Sequence, residues 1–220
     1  MASRYGPLGV RHWEIWNEPN VSDFWRPGPE PTEYAGLLQA AEKRIRAVQP
    51  EATIISGGLA PYGAPGDQSA TRMNPVTFLE RMYGAGAKGA FDALGMHPYS
   101  QPVAPTPGHP AVAWSQLEST NPSVRSVMTA NGDAGLDVWA TEFGYPTCDN
   151  EANCVSEAAQ AQFTRDAISA WSSYGWAGPM MLYQLADAGV PNGEQNRFGT
   201  VSYTHLRAHE TLTPIAYAVV

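Results

Sequence analysis

The sequence predicts an α/β fold that forms part of a (β/α)₈ barrel. Short apolar runs with the composition of buried strands alternate with helical patterns along the chain, and a polar side chain follows nearly every apolar run. Continuous apolar strands separated by helices are typical of a parallel sheet with helices packed outside it. The polar side chains favour a barrel, because the functional groups of a barrel gather at the C-terminal ends of its strands. A doubly wound open sheet is the alternative, but no glycine-rich phosphate loop follows a predicted strand.

The first strand–helix–strand unit shows the pattern on which this prediction depends. Residues 12–16 form an apolar run that ends at a polar tripeptide. Thr32 is suited to be an N-cap, and the apolar residues after it recur at helical spacing until Pro50 ends the helix. Residues 52–56 are rich in β-branched side chains and stop at a glycine pair, which predicts the second strand.

The remainder of the chain repeats this alternation. Asn74 and Pro75 have the order of an N-cap and a first-turn proline, so they predict the start of the next helix. The other predicted elements are a strand over 91–99, a helix from about Asn121, a strand over 137–141, a helix capped by Ser156 that runs to about Tyr174, and a last strand over 179–184.

Composition limits the classes of partner. The chain has 220 residues, enough for one sizeable core, with 13 basic and 21 acidic residues and a formal net charge of −8. This acidic balance, without a basic cluster, argues against nucleic acid or an anionic membrane as a partner. No apolar stretch approaches the roughly 18 residues of a membrane-spanning helix. Residues 1–7 lack a hydrophobic segment, so the chain as given contains no predicted signal peptide.

Two glutamates stand where predicted strands stop. Glu18 follows the first strand within Asn17-Glu18-Pro19, and Glu142 follows a later strand within Glu142-Phe143-Gly144. Cleavage of a glycosidic bond needs such a pair, one carboxyl group to protonate the leaving oxygen and one to attack or stabilise the sugar cation. Glu14 shares the strand face of Glu18 but lies deeper, so we expect a hydrogen-bonded or ion-paired group that does not reach substrate.

Three motifs resemble those of clan A retaining glycoside hydrolases, closest to families 39 and 5. They are Trp-Asn-Glu-Pro at residues 16–19, His-Pro-Tyr at 97–99 and Glu-Phe-Gly at 142–144, and the resemblance covers about residues 10–200. It implies strands 4 to 8 only of the barrel, with the first three strands absent. It also implies that Glu18 is the general acid/base and Glu142 the nucleophile of a double displacement at a β-glycosidic bond in an oligosaccharide or polysaccharide. No cofactor and no metal are expected.

The resemblance and the strand ends indicate further substrate-binding residues. Asn17 resembles the family's donor to the sugar 2-hydroxyl, although an asparagine that only caps the turn is the alternative. His97 and Tyr99 resemble an active-site pair that bonds the nucleophile or a ring hydroxyl. Phe24 and Trp25, in the loop after Glu18, are candidates to stack on a leaving-group sugar, with loop packing as the alternative. Tyr183 ends the last predicted strand and is a candidate floor for the cleaved sugar.

The two cysteines indicate the cellular compartment of the parent protein. Cys148 and Cys154 are too few for a structural zinc site, which needs four ligands. Their close spacing in a polar loop predicts a local disulfide and therefore a secreted parent protein, with two free thiols as the alternative.

The C-terminal residues differ in character from the rest. Residues 201–220 resemble one reading frame of a transposon-type sequencing adapter, so the predicted domain is the C-terminal part of a barrel over 1–200, followed by a non-native tail. Five strands do not close an eight-stranded barrel, so we expect the isolated chain to be inactive. A barrel that binds carbohydrate without turnover is the rival function, and the oligomeric state stays open.

Overall fold

A computed structural model describes residues 1–148, 152–187, 197–202 and 205–206. Its first half contains α1 (Ala2–Tyr5), a 3₁₀ helix (Gly6–Leu8), β1 (His12–Asn17), α2 (Pro31–Arg46), β2 (Thr53–Gly58), α3 (Pro75–Gly84) and β3 (Ala93–Met96). The second half contains α4 (Ala113–Glu118), α5 (Val124–Ala130), β4 (Asp137–Phe143), α6 (Glu157–Ser173), β5 (Ala177–Leu182), β6 (Val201–Ser202) and β7 (His205–Leu206).

The main sheet has five parallel strands in the order β1-β2-β3-β4-β5. Each strand therefore pairs with its neighbour in sequence, and helices connect the strands. A doubly wound sheet would reverse its strand order at a switch point, and this sheet has no reversal. The sequential order is that of a (β/α)₈ barrel, so the predicted α/β fold and partial barrel are confirmed.

The core lies between the sheet and the helices that cover it. Phe78 and Leu79 of α3, Leu38 of α2 and Trp114 of α4 are fully buried there. The middle strands β2 and β3 are buried along almost their whole length, whereas β1 alternates between exposed and half-buried residues. Continuous burial of the middle strands explains why their sequences are apolar without alternation.

Several helix boundaries follow local capping chemistry. Asn74 and Ser156 cap α3 and α6 through their side chains, as predicted. The predicted start of α2 at Thr32 is wrong, because Pro31 occupies the first helical turn and Glu30 is the N-cap. Helix α4 was not predicted from the sequence, and its N-cap Val112 has no side-chain capping bond.

The C-terminal tail is described only in part. β6 and β7 pair as a short antiparallel hairpin. Residues 203–204 and 207–220 lie outside the described residues, so the prediction of a non-native tail stays a prediction. Among the described residues, no helix is both long and apolar enough to span a membrane.

Candidate active site

Glu18 lies on a sharp turn at the end of β1. The backbone of Trp16 has φ 77° and that of Glu18 has φ 42°, a region that non-glycine residues seldom occupy. The Glu18 amide donates to the carbonyl of Gly58 at 3.0 Å. The buried side chain of Asn20 holds the following loop, since it bonds both the amide and the carbonyl of Ala60. Strained backbone of this kind clusters at functional sites.

His97 and Tyr99 bring the two glutamates together. His97 follows β3, and its Nδ1 lies 2.9 Å from Oε1 of Glu18 and 3.6 Å from Oε2 of Glu142. The Tyr99 hydroxyl donates to that same Glu142 oxygen at 2.9 Å. One side-chain ligand atom from each of Glu18, His97 and Glu142 lies within 4.8 Å of the other two. In the described part of the chain, this trio is the group with the geometry to hold a metal ion.

The charges at this site shift the titration of its neighbours. Burial alone lowers the pKa of His97, but the hydrogen bond that the Glu18 carboxylate accepts and the charges of Glu142, Glu18 and Glu14 outweigh it, so the net pKa is raised above its ordinary 6.5. Burial and the charge of Glu142 raise the pKa of Tyr99 far above its ordinary value. Tyr99 is therefore a neutral donor, and the cationic imidazole of His97 is favoured more than that of a free histidine.

Glu14 is hydrogen-bonded, as predicted, but it is exposed and lines the cavity described below, so the expectation that it does not reach substrate is not supported. Its Oε1 accepts from the Gly58 amide at 2.8 Å and from the Thr141 hydroxyl at 2.8 Å. Loss of water around its carboxyl group raises the pKa of Glu14, and these two hydrogen bonds oppose that rise.

A cavity of about 820 Å³ opens between β1 and β5 beside this cluster. Its lining includes Asn17, Glu142 and Tyr183, together with Trp16 and Phe24. Trp16 and Phe24 are 52% and 45% exposed, and the Trp16 indole N–H donates to the Phe24 carbonyl.

Trp25 has a different environment from these lining residues. Its ring packs edge-on against Trp16 at 5.6 Å and against Tyr34 at 5.8 Å, next to the core. The structure thus gathers Glu18, Glu142, His97, Tyr99, Asn17 and Tyr183 at one end of the sheet, with Trp25 one layer behind. Trp16 was not among the site residues predicted from the sequence, although its alternation with Glu14 and Glu18 on one strand face was a usable signal.

Cys148 and Cys154 form a close pair in the loop after β4. Their Cα atoms lie 5.4 Å apart, within the range that a disulfide spans.

Comparison with known proteins relates this chain to glycoside hydrolases. The model of the family "Cellulase (glycosyl hydrolase family 5)" matches residues 1–178. A β-xylosidase of Geobacillus stearothermophilus is 33% identical over 87 residues, which is 36% of this chain and 17% of that protein.

Two solved structures of family 39 enzymes are also similar. A glycoside hydrolase from Bacteroides cellulosilyticus WH2 has 25% identity and a TM-score of 0.66 over 91% of this chain and 39% of that one. A β-xylosidase from Caulobacter crescentus has 21% identity and a TM-score of 0.61 over 94% and 41%, and shows the fold alone. This chain therefore spans less than half the length of these relatives. Because the family model covers most of its residues, the chain belongs to glycosyl hydrolase family 5, the cellulase family.

Proposed function

We propose that this chain carries the catalytic carboxyl groups of a retaining glycoside hydrolase that cleaves a β-glycosidic bond in an oligosaccharide or polysaccharide. The observation that carries the proposal is the approach of Glu18 and Glu142, whose carboxylate oxygens come within 4.8 Å. Retaining enzymes hold these groups about 5–5.5 Å apart, whereas inverting enzymes need about 6.5–9.5 Å to admit a water. The short separation favours retention.

In the first chemical step, an oxygen of Glu142 forms a bond to the anomeric carbon while the bond from that carbon to the leaving-group oxygen breaks. Glu18 donates its proton to the departing oxygen. In the second step, Glu18 takes a proton from water as the water oxygen attacks the anomeric carbon and releases Glu142. The Tyr99 hydroxyl orients the Glu142 carboxylate, and the His97 imidazole orients the Glu18 carboxylate.

The remaining candidate residues bind the sugar in this proposal. Asn17 and Tyr183 line the cavity beside Glu142, which supports a contact of both with the cleaved sugar. Trp25 supports Trp16 from behind and acts on the leaving-group side, where Glu18 lies. Two of the similar proteins are named β-xylosidases, so β-xylosides are the first substrates to test.

Trapping of the covalent intermediate tests this function. The protein encoded by the complete open reading frame is incubated with an activated 2-deoxy-2-fluoro-β-xyloside, and the peptides are analysed by mass spectrometry. We expect a fluoroxylosyl adduct on Glu142 and a β-configured first product from an aryl xyloside by NMR. An α-configured first product would contradict retention. Binding of xylo-oligosaccharide without any turnover would support the rival carbohydrate-binding barrel.

The proposed enzyme is secreted, and its two cysteines are oxidised. The 5.4 Å separation of the Cys148 and Cys154 Cα atoms supports this, because disulfides persist in oxidising compartments. Under denaturing conditions, a thiol reagent should label both cysteines only after reduction. Labelling without reductant would contradict the proposal.

A further inference from the structure

A tyrosine of α2 is built into the hydrogen-bond ladder between β1 and β2. The Tyr34 side chain is fully buried, and its hydroxyl donates to the Ile15 carbonyl at 3.0 Å. The same oxygen accepts the Gly57 amide at 2.6 Å. One hydroxyl therefore bonds both strands of a pair to which it does not belong.

This insertion occurs where the backbone of β1 departs from regular geometry. Ile15 pairs with Ser56 and Asn17 pairs with Gly58, while Trp16 between them has φ 77°. A residue in that conformation interrupts the alternation of N–H and C=O groups along a strand, so the ladder has a gap opposite Gly57. The Tyr34 hydroxyl fills the gap, because buried backbone groups need partners.

Gly57 lies in close contact with the turn of β1. A side chain at Gly57 would collide with the carbonyl oxygens of Ile15 and Trp16, so β2 lies directly against the turn. Trp25 and Phe78 hold the ring of Tyr34 from two sides, each at 5.8 Å between ring centroids. The position of the hydroxyl is thus fixed by the core rather than by solvent.

We propose that Tyr34 is a positioning residue for Glu18: its hydroxyl stabilises the turn that aims the Glu18 carboxyl group at His97 and the leaving-group oxygen. This inference rests on the acid/base role of Glu18 proposed above. A tyrosine that merely fills the core also needs a hydroxyl partner. What separates the two roles is that both partners of Tyr34 are backbone groups of the strands beside the turn, the Ile15 carbonyl of β1 and the Gly57 amide of β2.

The kinetic test uses Tyr34→Phe in the protein encoded by the complete open reading frame. A disaccharide has a poor leaving group and depends on proton donation, whereas a dinitrophenyl glycoside does not. We expect kcat/KM to fall about 10²-fold for the disaccharide and less than about threefold for the dinitrophenyl glycoside. Equal losses for both substrates would show a purely structural role and overturn the proposal.

Tyr83→Phe is the matched control. Tyr83 is also buried, and its hydroxyl donates to Asp133 at 2.7 Å, on α3 and away from the turn. This variant loses one buried hydroxyl bond without touching β1, so the ratio of the two kcat/KM values should stay at the wild-type level. A change of that ratio as large as in Tyr34→Phe would also overturn the proposal.

Hydrogen exchange tests the same inference without activity. In the wild-type 220-residue chain, the Gly57 amide should exchange as slowly as other amides of β2, and in Tyr34→Phe the Gly57 and Glu18 amides should exchange at least about tenfold faster. If the protein encoded by the complete open reading frame does not hydrolyse glycosides, the proposed function fails, while the exchange result still decides the role of Tyr34. If Tyr34→Phe does not fold, fast exchange of Gly57 in the wild type would overturn the inference.

Discussion

The two strand ends that carry the glutamates differ in strand pairing and in backbone conformation. β4 pairs with a strand on each side, and Phe143 next to Glu142 is fully buried. β1 pairs only with β2 in the described sheet, and its turn contains two residues with positive φ. Glu142 thus comes from a strand that is paired on both sides, with register shifts against β5 on either side of Ala140, whereas the backbone around Glu18 depends on bonds from other segments. The difference teaches that the proposed acid/base is the more fragile half of the site.

Removal of the proposed nucleophile should have the largest effect. Glu142→Ala leaves no group to form the covalent intermediate, so we expect kcat to fall on the order of 10⁴-fold or more for every glycoside. Steady-state kinetics of the complete protein on aryl and natural glycosides measure this. Loss confined to poor leaving groups would exchange the two assigned roles.

Removal of the proposed acid/base should discriminate between substrates. Glu18→Ala should lower kcat/KM about 10²–10⁴-fold for a disaccharide and spare the first step for a dinitrophenyl glycoside, which needs no proton. Added azide should restore turnover of the activated substrate and yield a β-configured glycosyl azide. Absence of rescue, with equal losses for both substrates, would refute the assignment.

The stability of an Asn20 variant tests how strongly the loop after Glu18 depends on bonds from other segments. Its fully buried amide also donates to the Met73 carbonyl at 2.9 Å, in addition to its bonds with Ala60. Asn20→Ala leaves several buried backbone groups without partners, so we expect the free energy of unfolding to fall by about 2–4 kcal/mol. Urea denaturation of the 220-residue chain measures it.

Asn131→Ala is the matched control for Asn20→Ala. Asn131 is half-buried, and its amide donates to the Val127 carbonyl at 2.9 Å. Removing that bond should lower the free energy of unfolding by less than about 1 kcal/mol. If the two variants lose equal stability, the loop after Glu18 does not depend on Asn20 as the structure indicates.

Local signals explain how much of the fold the sequence predicts. Asn74 and Ser156 cap helices through short-range bonds, and continuous apolar runs mark the buried strands, so these features are legible in single segments. α4 escapes such signals because its N-cap Val112 makes no side-chain capping bond and tertiary burial of Trp114 holds the helix in place.

The candidate site also contains residues that local sequence patterns predict and residues that they do not. Glu18, His97 and Glu142 lie where strands end, and that position is readable from the sequence. Tyr34 and Asn20 act across the fold, on backbone groups far away in sequence, and a helical tyrosine looks like any core residue. The role of Tyr34 also depends on the positive φ of Trp16, which a strand pattern does not predict.

The smallest expected effect is the pH dependence of stability, which tests whether the charge of His97 couples Glu18 to Glu142. His97 is fully buried and its pKa is raised above 6.5, because Glu18, Glu142 and Glu14 together outweigh burial. A raised pKa in the folded state means that the contribution of His97 is fully present below pH 6.5 and is lost as pH rises through the folded value. Unfolding free energies between pH 6 and 9 should therefore decline, with a slope of at most about 1.4 kcal/mol per pH unit from this one group. His97→Gln keeps a hydrogen-bonding side chain beside Glu18 but cannot ionise, so its stability should change less over the same range. An unchanged slope in that variant would mean that the imidazole does not carry the charge that links Glu18 to Glu142.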